Sequence, residues 1–214
     1  MTYGNSASRQ AQAIRAHARR GVWRRVTAWA GVNAEARRAD VQAGAWVQGG
    51  QGEAATVGLV APLAASGWHI RHDVRPPWGR GNYDHVLISP DGRAVLVIDS
   101  KQWRRNWPTT LKGGRVHCGL EDRHDQVEKA VKHAGQVQEL LRMPDVDVLP
   151  LLVVHGSLVV GGHLAVRVPG LPAPVYVLAS DWLVSTLSAV PFDAAPWRAG
   201  EVAARVDQVL RPYR

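Results

Sequence analysis

The chain has 214 residues and a formal net charge of +8, with 26 Lys and Arg against 18 Asp and Glu. Its length suffices for one domain with extensions, and its single cysteine, Cys118, excludes both an internal disulfide and a cysteine-based zinc site. No apolar run approaches the ~18 residues of a membrane span and the N-terminus lacks the apolar core of a secretion signal, so we expect a cytoplasmic protein with no membrane partner.

A basic segment opens the chain. Eight arginines before Gly49 face only Glu35 and Asp40, so this segment supplies +6 of the net charge. Alanine-rich sequence predicts helices over Ser6–Arg20 and Asn33–Ala45. Such an arm suits contact with a phosphate backbone, and it is equally typical of an arginine-rich composition without any partner.

A helix is predicted to start near the Gly49–Gly52 joint. Glu53 lies on its inward face, together with small and apolar residues that recur at helical spacing: Thr56, Val57, Val60, Ala61 and Ala64. Pro62 should bend or end this helix, because a proline removes a helical hydrogen bond.

Strands are predicted next at Trp68–Val74, Tyr83–Ser89 and Ala94–Lys101, with Arg115–Cys118 as a short fourth strand at the edge of the sheet. The turn Pro90-Asp91-Gly92 is short enough to make the second and third strands antiparallel neighbours. The sequence therefore predicts that acidic side chains on these two strands can meet.

The acids in question are Asp84 and Asp99. Side chains alternate along a strand, so Asp99 and Lys101 project from the same face. Placing two acids and a lysine at the end of a buried strand costs free energy unless they are paired or bind a cation. Paired carboxylates suit Mg²⁺, and the lysine would hold an attacking water and stabilise developing charge. A simple ion pair at a strand end is the alternative.

The rest of the chain completes an α/β layer. Asp125–Leu141 is predicted as a helix, and Val148–His155 as a buried strand that returns parallel to a neighbour. The remaining predictions are a hairpin over Leu158–Val168, a strand at Val175–Leu178, a helix capped by Ser180 and a terminal helix over Glu201–Leu210.

One pattern in the sequence resembles the active site of the PD-(D/E)xK nuclease superfamily: Asp84, then a strand, then Asp99-Ser100-Lys101. Further motifs narrow the resemblance, in this order: Gly52-Glu53, Gly67-Trp68, His72-Asp73-Val74, Gly81-Asn82-Tyr83-Asp84-His85, and Asp99-Ser100-Lys101 with Trp103 close behind. They look like the nuclease-related domain, or NERD, family over roughly Gly49 to Leu141.

The resemblance implies a restriction-endonuclease-like fold, with an α-β-β-β-α-β core and a mixed central sheet over about residues 49–156. We predict a nuclease domain over residues 49–214 with helices at its C-terminal end, preceded by a basic helical extension over residues 1–48.

The resemblance also implies a metal-dependent nuclease with Glu53, Asp84, Asp99 and Lys101 as the catalytic set. Asp84, Asp99, Glu53 and the Ser100 carbonyl would bind one or two Mg²⁺ or Mn²⁺ ions. The partner would be nucleic acid, with DNA expected, and the oligomeric state is open.

Substrate contacts are expected beside this site, from Gln102, Trp103, Arg104 and Arg105. An exposed tryptophan can stack on a base, although core packing is the commoner fate of tryptophan, and Gln102 could be no more than a polar strand end. Two other functions stay open: a module that binds nucleic acid without cutting it, and a protein-interaction module on the same fold.

Overall fold

The computed structural model describes residues 50–78 and 81–213. The chain divides into two compact units, Met1–Ala54 and Ala55–Arg214. The described part of the first unit is helical, and the second unit is described by itself below. The helices predicted over 6–20 and 33–45 lie outside the described residues. The predicted boundary between extension and nuclease domain stays a prediction.

The elements follow one another in the order helix, three strands, a small sheet, helix, strand. Residues 50–60 form helix α1, which a 3₁₀ turn over Ala61–Ser66 continues. The strands are β1 (His69–Arg75), β2 (Tyr83–Ile88), β3 (Ala94–Gln102), β4 (Thr109–Lys112), β5 (Arg115–Cys118), β6 (Glu121–Asp122), β7 (Asp147–His155), β8 (His163–Val166), β9 (Val175–Ala179) and β10 (Arg211–Pro212). The later helices are α2 (His124–Leu141), α3 (Leu183–Ala189) and α4 (Pro196–Val209).

The α-helix gives way to 3₁₀ geometry just before Pro62, which agrees with the prediction that this proline bends or ends the helix. Gly67 ends the turn at a φ of 86°, and its backbone amide bonds to the Ala64 carbonyl. A left-handed residue is the common end of a helix, and glycine adopts it without steric cost.

Within the described residues, the main sheet has seven strands in the order β10-β1-β2-β3-β7-β9-β8. Strands β1, β2 and β3 pair antiparallel, whereas β3 pairs parallel with β7 over nine positions, from Ala94 opposite Asp147 to Gln102 opposite His155. The connection between β3 and β7 carries α2. This arrangement confirms the mixed sheet and the α-β-β-β-α-β order.

Helices cover both faces of the central strands. Val95 and Val97 of β3 pack on one face with residues of α2 and α4, whereas Leu96 and Ile98 pack on the other face with residues of α1 and α3. A strand buried on both faces reads as a continuous apolar run, which is why this strand was recognisable from sequence. No helix in the described ranges combines the length and apolar character that crossing a membrane requires.

The strand at Arg115–Cys118 is confirmed, but its predicted place at the edge of the main sheet is wrong. It is the middle strand of a separate three-stranded sheet, β4-β5-β6. Short turns on either side supply both antiparallel partners within a few residues. Local partners close faster than distant ones, because loop closure costs more entropy as the loop lengthens.

The hairpin predicted over Leu158–Val168 is also wrong. Val159 instead forms a parallel bridge with Thr109, and β8 pairs with β9. The segment before Gly161 therefore contacts β4, so the two halves of the expected hairpin do not meet.

Two helix starts differ from prediction. Ser180 does not cap α3, because a 3₁₀ turn over Ser180–Trp182 comes first and no side chain caps it. Helix α4 begins at Pro196 rather than at Glu201. Proline suits the first turn of a helix, where its missing N–H would have no partner.

Replacing Leu152 with Ala tests how much the central strand β7 contributes to the stability of the fold. The Leu152 side chain is fully buried, so its removal should lower the free energy of unfolding by about 2–5 kcal/mol. Leu120→Ala is the matched control, since Leu120 is 87% exposed and its loss should change stability by no more than about 0.5 kcal/mol. Equal costs in urea denaturation would contradict the position of β7 at the centre of the core.

Candidate active site

The ladder between β2 and β3 stops just before the two aspartates face each other. Its last pair is His85 with Ile98, a register that places Asp84 opposite Asp99. Past that pair, the backbone amide of Ser100 donates to Asp84 Oδ2 at 2.8 Å, so a side chain replaces the next ladder bond. The Asp84 carboxylate thus lies against the peptide that joins Asp99 to Ser100.

Asp99 carries a buried charge at the end of β3. The residue is 4% exposed, and the Lys101 ammonium forms an ion pair with its Oδ2 atom. Lys129 of α2 places its ammonium 3.9 Å from Oδ1. Apart from the ion pair with Lys101, no hydrogen bond to Asp99 Oδ2 forms within the residues that the structure describes. The ion pair with Lys101 is therefore what offsets the cost of burying this carboxylate.

The oxygen donors at this point fit a hard divalent cation. Mg²⁺ is commonly held by one or two carboxylates plus substrate phosphate, and the structure brings together Asp84 and Asp99. Among the residues that the structure describes, no group of three or more His, Cys, Asp or Glu side chains is arranged to hold a metal. Glu53 is half-buried in the helical residues of the first unit, and its place in the site stays a prediction.

A chain of buried polar side chains crosses the opposite face of the sheet. His72 and His85 approach through their Nδ1 atoms at 2.8 Å, and His85 Nε2 lies 3.2 Å from Ser100 Oγ. The Ser100 hydroxyl is 2.8 Å from Thr56 Oγ1, which in turn is 2.7 Å from His155 Nε2. Four strands and α1 thereby meet at Ser100, the residue between Asp99 and Lys101.

The three histidines of this chain of polar side chains, His72, His85 and His155, are neutral at pH 7. Burial, together with repulsion from His72 and His155, lowers the pKa of His85 to about 3. Burial likewise lowers the pKa values of His72 and His155. Each hydroxyl can donate to one neighbour while it accepts from the other, so the chain is satisfied in either donor direction. This network holds Ser100, and with it the backbone that carries Asp99 and Lys101.

Sequence reasoning found only part of this chain. His85 belongs to the motif Gly81-Asn82-Tyr83-Asp84-His85, and its ring lies within hydrogen-bond distance of His72 and Ser100. Thr56 was read only as a position on a helix face, and no role was predicted for His155. These two residues are 99 positions apart in the chain, so no local spacing relates them.

The family model of the nuclease-related domain matches residues 48–155, just over half of the chain. The chain belongs to the nuclease-related domain family. No curated protein and no solved structure matches it significantly. The matched segment includes Asp84, Asp99 and Lys101 and ends at the last residue of β7, so the family predicted from motifs is confirmed.

In this nuclease-related domain, Gln102 and Trp103 directly follow Lys101 in the sequence. Trp103 is 6% exposed and its Nε1–H donates to Gln126 at 3.1 Å, so its ring packs in the core and is not available for base stacking. Gln102 is half-buried and packs closely against Gly156. A Cβ at position 156 would lie only 2.6 Å from the Gln102 amide nitrogen, and Gly156 has a φ of +83°.

The two arginines of the domain's predicted substrate set are exposed. Arg104 lies over the Trp107 ring at 4.4 Å and has its guanidinium 3.7 Å from Glu121. Arg105 lines a cleft of about 620 Å³ at the C-terminal ends of β7 and β9. Open parallel sheets commonly bind ligands at this end of their strands.

Replacing His85 with Asn tests the neutral histidine chain. Because the pKa of His85 is about 3 in the folded protein and 6.5 ordinarily, the unfolded chain takes up its proton first as pH falls. Stability therefore decreases from about pH 6.5 downwards, and by pH 5 His85 alone accounts for about 2 kcal/mol. Urea denaturation at pH 7 and pH 5 should show a smaller acid loss in His85→Asn than in the intact chain. Equal losses would contradict the neutral, buried His85.

Proposed function

We propose that this nuclease-related domain hydrolyses phosphodiester bonds in DNA, with Asp84 and Asp99 binding one or two Mg²⁺ or Mn²⁺ ions. The observation that supports this most is the bond from the Ser100 amide to Asp84, which brings that carboxylate beside Asp99 at the open end of the ladder. Family membership supports a nuclease-related role. When bound, the cation supplies Lewis-acid polarisation of a phosphate oxygen and a lower pKa for the attacking water.

Lys101 has two roles in this proposal. Without a cation its ammonium neutralises Asp99, which is why the buried carboxylate is tolerated. With the carboxylate engaged as a ligand, the same ammonium is available to orient the attacking water and to stabilise negative charge that develops on the phosphate. The proximity of Lys101 to Asp99 thus serves both the resting protein and the reaction.

Two further ligands complete the proposed site. Glu53 would bind a cation directly or through water, and the Ser100 carbonyl would supply another oxygen. Because Mg²⁺ keeps several of its waters, two carboxylates can be enough to hold it, and Glu53 would then strengthen cation binding rather than create it.

Glu53→Gln should raise the cation concentration needed for half-maximal cleavage more than it lowers the maximal rate.

Substrate would approach across the exposed cations that follow Lys101 in the sequence. Arg104 and Arg105 are the candidates in the described structure for phosphate contact, with Gln102 as a polar neighbour. The arginines before Gly49 would add sequence-independent attraction. We place the protein in the cytoplasm, where its one cysteine, Cys118, stays reduced and buried.

Cleavage of supercoiled plasmid and of single-stranded DNA tests the proposal. With Mg²⁺ or Mn²⁺ the intact chain should cut, chelator should stop it, and Asp99→Ala or Lys101→Ala should lower the rate by roughly 100-fold or more. Asp193→Ala and Lys112→Ala are matched controls, since both residues are exposed and lie outside the site. Circular dichroism would show that each variant folds.

Two outcomes would contradict this function. If Lys101→Ala kept full metal-dependent cleavage, the assigned role of Lys101 would be wrong. If the intact chain bound DNA without cutting it under any of these metals, and Asp84→Ala bound equally well, the domain would be a non-catalytic binding module. A chain with neither DNA nor metal affinity at moderate salt would instead fit a protein-interaction module.

A further inference from the structure

A second cleft opens beside the carboxylates, between the start of β2 and helix α2. Its volume is about 300 Å³, at the lower end of the range for small-ligand pockets, and the residues that line it include Trp78, Tyr83, Lys129, Lys132, His133 and Gln136. Two of these connect it to the candidate active site: Tyr83 precedes Asp84, and the Lys129 ammonium is 3.9 Å from Asp99 Oδ1. The cleft and the carboxylates are therefore adjoining parts of one surface.

The floor of the cleft is held in place by contacts between side chains. The Tyr83 ring meets His133 edge to face at 5.0 Å, and the Tyr83 hydroxyl donates to Gln136 at 3.1 Å. These two contacts fix the positions of the Tyr83 and His133 rings.

The rim of the cleft carries positive charge. Lys129 and Lys132 are exposed and lie three positions apart on α2, so their ammonium groups extend from neighbouring points of one helix face. Within residues 50–78 and 81–213, Lys132 makes no ion pair with an acid. An exposed cation that no acid neutralises is available to bind phosphate.

The rim also carries an exposed aromatic ring. Trp78 is 75% exposed, although a tryptophan ring gains more free energy from burial than most side chains. Proteins that bind single-stranded nucleic acid combine cations that follow the backbone with aromatic rings on which bases stack. Trp78, Lys129 and Lys132 supply both kinds of group around one cleft.

We propose that this cleft binds one unpaired nucleotide of the substrate strand next to the phosphate that is cut. Trp78 stacks on the base, and Lys129 and Lys132 hold the flanking phosphates. A base inside a duplex already stacks on its neighbours, so the ring of Trp78 can take only an unpaired one. The proposal rests on the nuclease function above and adds its substrate class: single strands and frayed or overhanging ends.

The test measures binding in chelator, so that no strand is cut. The probes are a fluorescently labelled oligothymidylate and an oligonucleotide of equal length whose sugars carry no bases, each followed by anisotropy. The proteins are the intact chain, Trp78→Ala, Trp78→Phe, Lys132→Ala, and Trp197→Ala as the matched control. Trp197 is 76% exposed, so it matches Trp78 in accessibility while lying outside the cleft.

Trp78→Ala should weaken binding of oligothymidylate by roughly 5-fold to 150-fold and leave binding of the abasic strand unchanged. Trp78→Phe should restore most of the loss, because a phenyl ring still stacks. Lys132→Ala should weaken both probes alike and reduce the slope of log affinity against log salt by about 0.7. Trp197→Ala should change neither probe.

The nucleotide site and the nuclease function fail in different ways. If Trp78→Ala bound oligothymidylate as tightly as the intact chain, or lost both probes equally, the nucleotide site would be overturned while metal-dependent cleavage could still stand. If Trp78 proved essential for base binding and no metal supported cleavage, the nuclease function would be overturned and the site kept. An intact chain that bound neither probe would overturn the nucleotide site, and metal-dependent cleavage of plasmid would still decide the nuclease function.

Discussion

A buried carboxylate at the end of the central strand is the constraint on which this site depends. Asp99 is almost fully removed from water, and an isolated charge in that position would cost several kcal/mol. Lys101, two positions along the same strand, offsets that cost in the structure. The carboxylate is also the one that Asp84 approaches through the Ser100 amide. A cation bound there would replace an ammonium rather than enter a neutral pocket, which links fold stability to metal affinity.

The two faces of β3 divide the work of holding this site. Asp99 and Lys101 face α2, where Lys129 and the cleft around Trp78 lie. Ser100 faces the other way, into the histidine and threonine chain. Alternation along one strand thus places the reactive groups on one side and their support on the other. Loosening the support would shift the backbone that carries both Asp99 and Lys101.

Sequence patterns predict the central layers well because those patterns are local. The apolar run of β3, the short Pro90-Asp91-Gly92 turn and the helical stripe of α2 each depend on neighbouring residues, so the strand order and the antiparallel pairing of β2 with β3 could be inferred. The hairpin over Leu158–Val168 failed because its first half pairs with β4, a distant segment. The chain of polar side chains and the cleft around Trp78 could not be predicted from the sequence for the same reason. Their residues come from separate elements that only folding brings together.

The central claim is that Asp84 and Asp99 jointly bind a divalent cation at the end of β2 and β3. The most direct measurement is anomalous X-ray diffraction from crystals of the protein grown with Mn²⁺. The account predicts a strong anomalous peak at bonding distance from carboxylate oxygens of both aspartates, with the Lys101 ammonium moved away from Asp99. Ordered side chains in which Lys101 still pairs with Asp99 and no peak lies between the two carboxylates would contradict it.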